Sequence, residues 1–327
     1  MAKESKLKNF LSNLLRVSIS AALLWYLSTQ IDFPNTIVTV KSADWAYLFY
    51  AFAVYCLIFG VLLLRWFKFI HGLKLKLSVK NVIRYFFIGL FGNLFLPSSI
   101  GGDFIKIVGL CRETDEKVKV VASVLLDRLS GFAGIVIVAV VSFTFGYSFI
   151  NNKFLLIFIV LLGGLSGGII LLLFNEKMYA YACQIFDSFP KIKEKLMNLH
   201  YDITLMKGHK IDGFKAIGYS CLAQVILAIS YYFTARALNQ SVDLIYFLIF
   251  VPLICVISSL PSIGGLGFRE LGAKKLFTLV GVTTGVSVSI SLINFIFMVI
   301  VGLIGGLVYY VSTISSGRVQ HLASDSP

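Results

Sequence analysis

Apolar residues in this chain gather into long blocks separated by short polar segments. A bilayer core about 30 Å thick is crossed by about 20 apolar residues in a helix. Blocks at 10–31, 45–66, 118–147, 154–174, 214–238 and 284–312 meet that length and predict spanning helices. Ser12, Asn13 and Arg16 interrupt the first, which reads as a span or as a segment lying in the interface. Lys3, Lys6 and Lys8 precede it as in a signal peptide, but no clear small-x-small cleavage site follows, which predicts an uncleaved span. The block 118–147 exceeds the need of one crossing and carries Asp127 and Arg128, so its first turns are expected to protrude or to line a cavity.

Two further apolar stretches, 85–96 and 244–260, end in breaks: Leu96-Pro-Ser-Ser-Ile-Gly-Gly102 and Leu260-Pro-Ser-Ile-Gly-Gly-Leu-Gly267. Proline removes a donor and stops a helix, and glycine allows positive φ. Broken backbone at membrane depth is tolerated only where protein buries it or water reaches it. Each stretch with its continuation, 103–112 and 268–280, therefore reads as a re-entrant helical hairpin, with Pro97, Pro261 and Gly267 as structural breaks.

Composition removes the other classes. The chain has 327 residues, 14% charged and 58% hydrophobic, with a mean hydropathy of +0.88. An ordinary soluble domain has about 25% charged residues. A soluble enzyme, a secreted domain and a disordered tail are excluded. Five scattered cysteines form no CxxC pair and no Cys/His cluster, and the four histidines lie in loops or the tail, so neither a disulfide framework nor a metal centre is expected. No Ser/His/Asp set, HExxH, P-loop or cofactor fingerprint is present. Catalytic residues and cofactors are therefore not assigned.

The net charge of +13 sits between apolar blocks, as in loops facing anionic lipid, rather than in a nucleic-acid patch. Arg65, Lys68, Lys74, Lys76, Lys80 and Arg84 mark the loop 65–84 as cytoplasmic. Lys177, Lys191, Lys193, Lys195, Lys207 and Lys210 do the same for 175–213. The connections near 32–44, 148–153 and 239–243 carry almost no basic residues. The pattern closes with both termini cytoplasmic, the first hairpin entering from the cytoplasmic side and the second from the outer side. Arg269, Lys274 and Lys275 run against this rule and are taken as recruited for function. The segment 176–210 suits amphipathic helices on the inner leaflet or a plain solvated connector.

The two breaks repeat one another. Gly101, Gly102 and Lys106 recur at the same spacing as Gly264, Gly265 and Arg269. Leu96-Pro97-Ser98 recurs as Leu260-Pro261-Ser262, one residue nearer its glycines. The flanking spans also superpose, giving repeat 1 at about 45–147 and repeat 2 at about 208–312 in one transmembrane domain. An odd number of crossings between them turns the copies opposite ways, the inverted-repeat pattern of secondary transporters.

The breaks also carry the candidate chemistry. Half-helix N-termini offer unpaired N–H groups and partial positive charge to an anion. In the first, Gly101 and Gly102 admit a headgroup to the backbone and Lys106 adds a cation. Asp103 is an N-cap paired with Lys106, or a carboxylate facing a cavity, where it binds a cationic headgroup or takes up a proton. In the second, Gly264 and Gly265 play the glycine part and Arg269 offers a fork to phosphate. Glu270 is a first-turn dipole partner or holds Arg269. Ionisable residues within membrane segments are usually paired. Asp127 and Arg128, being adjacent, cannot share a helix face, so each is expected to meet another helix. Asn93, one turn before Pro97, is placed to bond backbone freed at the break.

Asn93, Leu96-Pro97, Gly101-Gly102-Asp103, Asp127-Arg128 and Pro261-Ser-Ile-Gly-Gly-Leu-Gly267-Phe-Arg269-Glu270, in this order, resemble the lysylphosphatidylglycerol synthase transmembrane-region family, also called flippase-like or YbhN-like proteins. The resemblance covers nearly the whole chain. In bifunctional members it implies a flippase half that moves aminoacylated phosphatidylglycerol to the outer leaflet, ahead of a soluble synthase domain. That domain is not recognised here, so the synthase activity is not carried over. Other stand-alone members are linked to polyprenyl-phosphate sugars or hopanoids.

The expected fold is thus an all-α integral membrane protein with about six spanning helices plus two re-entrant hairpins in an inverted repeat, placed in the cell membrane. The expected function is a lipid flippase whose hairpins enclose a polar midplane pocket for a charged headgroup. Lys106, Arg128 and Arg269 would contact phosphate. Asp103, Asp127 and Glu270 would pair with those cations or with an amino-bearing headgroup. Two alternatives stand beside it: a membrane-embedded enzyme using Asp103 and Glu270 as acid and base, and an accessory subunit anchoring a soluble synthase. The expected partner is a membrane lipid, with a second copy of the chain or a separate lipid-modifying enzyme as further candidates and no nucleic acid.

Overall fold

The computed structural model describes residues 32–95, 101–146, 175–183, 210–260, 262 and 265–324, with isolated positions between 25 and 29 and between 157 and 168. Every regular element among them is helical: α1 (Phe33–Lys41), α2 (Trp45–Gly72), α3 (Val79–Phe95), α4 (Gly101–Leu110), α5 (Lys117–Gly146), α6 (Glu176–Cys183), α7 (Lys210–Ala237), α8 (Leu244–Ser258), α9 (Phe268–Phe277) and α10 (Thr284–Ser324). A 3₁₀ turn, Thr278–Val280, follows α9.

Among the described residues four helices contain stretches long and apolar enough to cross a bilayer: Trp45–Gly72, Lys117–Phe145, Ile211–Ala237 and Thr284–Ser312. They match four of the six predicted spans. The predicted spans 10–31 and 154–174 lie mostly outside the described residues. So do most of the connector 176–210 and the hairpin tips holding Pro97, Pro261 and Gly264.

One boundary differs instructively. The segment 65–84 is not all loop. Helix α2 opens on Asp44, whose side chain accepts from the Ala46 N–H at 2.8 Å, and continues to Gly72. It passes through Arg65 and Lys68 because Trp66, Phe69 and Ile70 bury against Val120, Val124 and Leu126 of α5. The chain then reverses at Lys74, which adopts a left-handed φ of 54°.

Helices α2 and α7 form an antiparallel central pair. The Asp44 N–H donates to the Ala237 carbonyl at 2.9 Å at one end. At the other, Lys68 and His71 approach Asp212 at 3.9 and 3.0 Å. The second end also carries exposed Lys74, Lys76 and Lys80 and is called the basic end below. Small buried residues on this pair, Ala51, Ala216, Ala223 and Ala228, permit close helix approach.

Around this pair lie two antiparallel helical hairpins opening at opposite ends. In the first, the Gly109 end of α4 lies against the Tyr85 ring of α3, and Gly102 lies against Gly89 and Asn93. Its open end is tied by the Asn81 amide donating to Glu113 at 2.8 Å. In the second, Phe247 and Phe250 of α8 pack against Phe277 of α9, tilted and edge-on, with ring centroids 5.1 and 5.6 Å apart, while Gly265 abuts Ser258. The first opens toward the basic end, and the second toward the end where α7 finishes. Each hairpin leans on the last long helix of the other half: α3 on α10, and α8 on α5. The α3–α10 contact is tight because glycines face it. A Cβ added to Gly305 would lie 2.1 Å from the Phe87 carbonyl oxygen.

Helix α8 is apolar all round and deeply enclosed, with Phe247, Ile249, Phe250, Val251, Leu253 and Ile254 buried. Large apolar side chains such as Phe49, Leu57, Phe214 and Leu307 point outward instead. This is the distribution expected where hydrocarbon, not water, is the surrounding solvent.

Candidate functional site

The first group of functional side chains is built where α4 starts. Asn93 accepts the Gly102 N–H at 2.9 Å and so satisfies one of the donors a helix N-terminus leaves open. Gly102 has no room for a side chain: a Cβ there would stand 2.1 Å from the Gly89 carbonyl oxygen and 2.5 Å from Asn93 Oδ1. This close crossing turns Asp103 and Lys106 inward, and both are buried. Asp103 Oδ2 accepts from Arg128 Nε. Lys106 Nζ lies 3.4 Å from Asp103 Oδ1, yet that buried oxygen accepts no hydrogen bond. The ammonium also lies over the rings of Trp66 at 5.1 Å and Phe86 at 5.0 Å.

Asp127, one position before Arg128, faces a different helix. Arg65 of α2 grips it with two parallel bonds, Nε to Oδ1 at 2.6 Å and Nη2 to Oδ2 at 2.8 Å. Arg65 Nη1 also donates to Ser220 Oγ of α7 at 3.3 Å. Both partners are buried, and Gly131 leaves room for the guanidinium. The charges acting on Lys106 are Asp103, Asp127, Arg128 and Arg65. Among the described residues, Arg65, Lys106 and Arg128 are arranged around Asp103 and Asp127. Arg128 is the open member, its side chain 39% exposed against 6% for Asp103.

The second group sits at the start of α9. Gly265 and Gly267 adopt φ of 80° and 89°, a region that L side chains rarely enter. Their turn is closed by the Gly267 N–H donating to Glu270 Oε2 at 2.7 Å. Glu270 Oε1 receives Arg269 Nη2 at 2.7 Å, Arg269 Nε at 3.0 Å and the Ser291 hydroxyl at 3.1 Å. The guanidinium lies 4.7 Å from the Phe295 ring centroid. Glu270 is fully buried and Arg269 nearly so. Tyr55, Tyr231 and Cys255 lie within electrostatic reach of Arg269.

The two groups have different neighbours on the central helix pair. The first is anchored at Arg65 on α2 and Ser220 on α7, and the second lies near Tyr55 and Tyr231 on the same helices. At a rise of about 1.5 Å per residue, those anchors stand roughly 15 Å apart along the pair. The structure brings Asn93, Gly102, Asp103, Lys106, Asp127 and Arg128 together in one group and Gly265, Gly267, Arg269 and Glu270 in the other. Gly101 lies half-buried at the α4 N-terminus, and Gly264, Pro97 and Pro261 lie outside the described residues. No group of three or more His, Cys, Asp or Glu among the described residues could hold a metal ion.

The family model described as "Lysylphosphatidylglycerol synthase TM region" matches residues 13–306. This chain belongs to that family. It is also similar to a UPF0104 membrane protein of Pyrococcus horikoshii, at 26% identity over 321 residues, covering 88% of this chain and 92% of that protein. The family match embraces both charged groups and both hairpins, and the protein is a membrane protein.

Three participants, Arg65, Ser220 and Ser291, are not marked as site residues by the sequence of this family member. Arg65 reads as a residue of a basic loop, yet it follows directly on the apolar run Val61–Leu64 with Trp66 next in line. Ser220 and Ser291 are ordinary membrane-helix serines by sequence. Nothing local marks them, because their role comes only from which cation faces them. Lys274, one of the basic residues that run against the charge rule, lies over the Tyr26 ring at 5.6 Å.

Proposed function

We propose that this protein is a lipid flippase that passes a phosphate-bearing headgroup along the two charged groups while the acyl tails stay in the bilayer. The candidate headgroups are those of aminoacyl-phosphatidylglycerol or polyprenyl-phosphate-linked lipids. The observation that carries this reading is the buried set Asp103, Lys106, Asp127 and Arg65 with the half-exposed Arg128, held inside apolar helices at a half-helix N-terminus. Ionisable groups in such surroundings are costly and mark polar pathways. A charged headgroup alone in hydrocarbon costs at least several kcal/mol, which a ladder of paired charges offsets.

In this reading the two hairpins re-enter the membrane from opposite faces, and the halves 45–147 and 208–312 form an inverted repeat. The reciprocal packing of α3 on α10 and α8 on α5 supports it. The basic end faces the cytoplasm of the cell membrane, with both termini on that side. The first group stands nearer the cytoplasmic face and the second nearer the outer face, so a headgroup would be handed from Arg128 toward Arg269.

The test is leaflet exchange of a fluorescent phosphatidylglycerol in proteoliposomes, read by dithionite quenching. The wild type exchanges the probe, and Arg269→Ala abolishes exchange while the protein still folds. Wild-type exchange rates in Arg269→Ala defeat the role of Arg269, and no exchange by the wild type with any anionic probe defeats the flippase reading. Recovered lipids keep their mass. A changed mass supports the other reading, headgroup modification by a membrane enzyme.

A further inference from the structure

The aromatic pair beside Lys106 has no part in the pathway just described. Trp66 and Phe86 stand with ring centroids 6.3 Å apart and tilted to one another by 34°. The Trp66 indole N–H donates to Ser123 Oγ at 3.3 Å, which fixes that wall. Both rings are buried, and the Asp103 carboxylate closes a third side with an oxygen that accepts no hydrogen bond. Two aromatic faces and a carboxylate are what a desolvated organic ammonium requires. Here the place is already taken, by the protein's own Lys106 ammonium.

We infer that Lys106 is a tethered plug in an ammonium cage, and that it makes the first charged group select anionic over amine-bearing headgroups. This rests on the lipid-binding reading above and narrows its substrate class. With Lys106 seated, a headgroup amine finds the cage already filled. A phosphodiester without an amine brings no cation to be excluded. A zwitterionic headgroup brings its own cation, which the plug repels. Of the headgroups named above, the polyprenyl-phosphate-linked kind is therefore the preferred cargo, and aminoacyl-phosphatidylglycerol, with its free amine, is disfavoured. Lys106 is a specificity determinant.

The cage can be tested apart from transport. Trp66 is one of three tryptophans, so Trp25→Phe with Trp45→Phe leaves it as the single fluorophore. In that background, purified in detergent, choline chloride leaves wild-type Trp66 fluorescence unchanged. Lys106→Ala empties the cage, and choline then changes the emission saturably. Adding Phe86→Leu to Lys106→Ala removes that response. Each variant is checked for folding by its thermal transition. In parallel, lipids retained from an equimolar mixture of phosphatidylglycerol and phosphatidylethanolamine are weighed by native mass spectrometry. The wild type favours phosphatidylglycerol by roughly tenfold, and Lys106→Ala loses most of that preference, the scale of one desolvated cation–π site. A folded Lys106→Ala that neither responds to choline nor changes its lipid ratio overturns the inference, as does a saturable choline response in the wild type. If the wild type exchanges no lipid, but choline occupies the cage only when Lys106 is removed, the flippase reading fails and the plug stands.

Discussion

Arg65 and Asp127, 62 positions apart in the chain, meet in a two-pronged ion pair with both side chains buried. The pair joins α2 to α5, and through Ser220 it reaches α7. It also settles which carboxylate serves which cation. With Asp127 committed to Arg65, Asp103 pairs with both Lys106 and Arg128.

Breaking this pair should be worse than replacing it. Asp127→Ala leaves a buried guanidinium without its carboxylate and is expected to destabilise by about 3–5 kcal/mol. Arg65→Leu with Asp127→Leu removes both charges and should recover most of that loss. Thermal unfolding of the three forms in one detergent checks this. A double variant no more stable than Asp127→Ala would show that the fork contributes more than avoided burial of lone charge.

Hairpin closure at Gly102 should tolerate no side chain. Gly102→Ala drives a methyl into the Gly89 carbonyl and Asn93, and is expected to cost about 1–3 kcal/mol as an overpacked contact. Gly60→Ala, where nothing lies within 4 Å, is the control. It should be neutral or stabilise by up to about 1 kcal/mol through helix propensity. Equal losses at the two sites in a thermal shift assay would contradict the close crossing.

Glu270 is expected to do two separable things. Glu270→Gln retains an acceptor for the Gly267 N–H but leaves Arg269 without a carboxylate, whereas Glu270→Ala loses both. Hydrogen exchange measured on a peptide covering 265–272 should therefore rise more in the alanine variant. Thermal stability should fall in both by an amount on the order of 3–5 kcal/mol, set by the stranded buried arginine. Indistinguishable exchange in the two variants would remove the capping role.

The proposed orientation is checked from the lysines. In a background lacking the native cysteines, Lys76→Cys should react with an impermeant maleimide only from the cytoplasmic side. Lys275→Cys should react only from outside. Labelling of both from one side would refute hairpins entering from opposite faces.

Much of the frame is written in the linear order of residues. Four of the spans are legible because about 20 apolar residues in a row have few other solvents than lipid. The second hairpin is legible because Pro261 and the following glycines interrupt an apolar run and α9 resumes with Phe268. The adjacency of Asp127 and Arg128 already requires separate partners, since neighbouring helix positions point different ways. Arg65 shows where such reading stops. A charged residue near the end of an apolar run looks like a loop residue until the helix is seen to continue and the cation to turn inward.

The sequence by itself determined the elements: which stretches are apolar helices, where they break, and which glycines and charges stand at the breaks. These follow from local chemistry, the hydration cost of each residue and the backbone freedom of proline and glycine. Tertiary structure alone decided the pairings: Arg65 with Asp127, Arg128 with Asp103, Lys106 between Trp66 and Phe86, and Arg269 with Glu270 and Ser291. It also decided that Arg65 and Ser220 anchor the first group on α2 and α7. Partner choice depends on how the helices cross and which faces they turn to one another, and that is set by packing across the bundle, where residues far apart in the chain become neighbours.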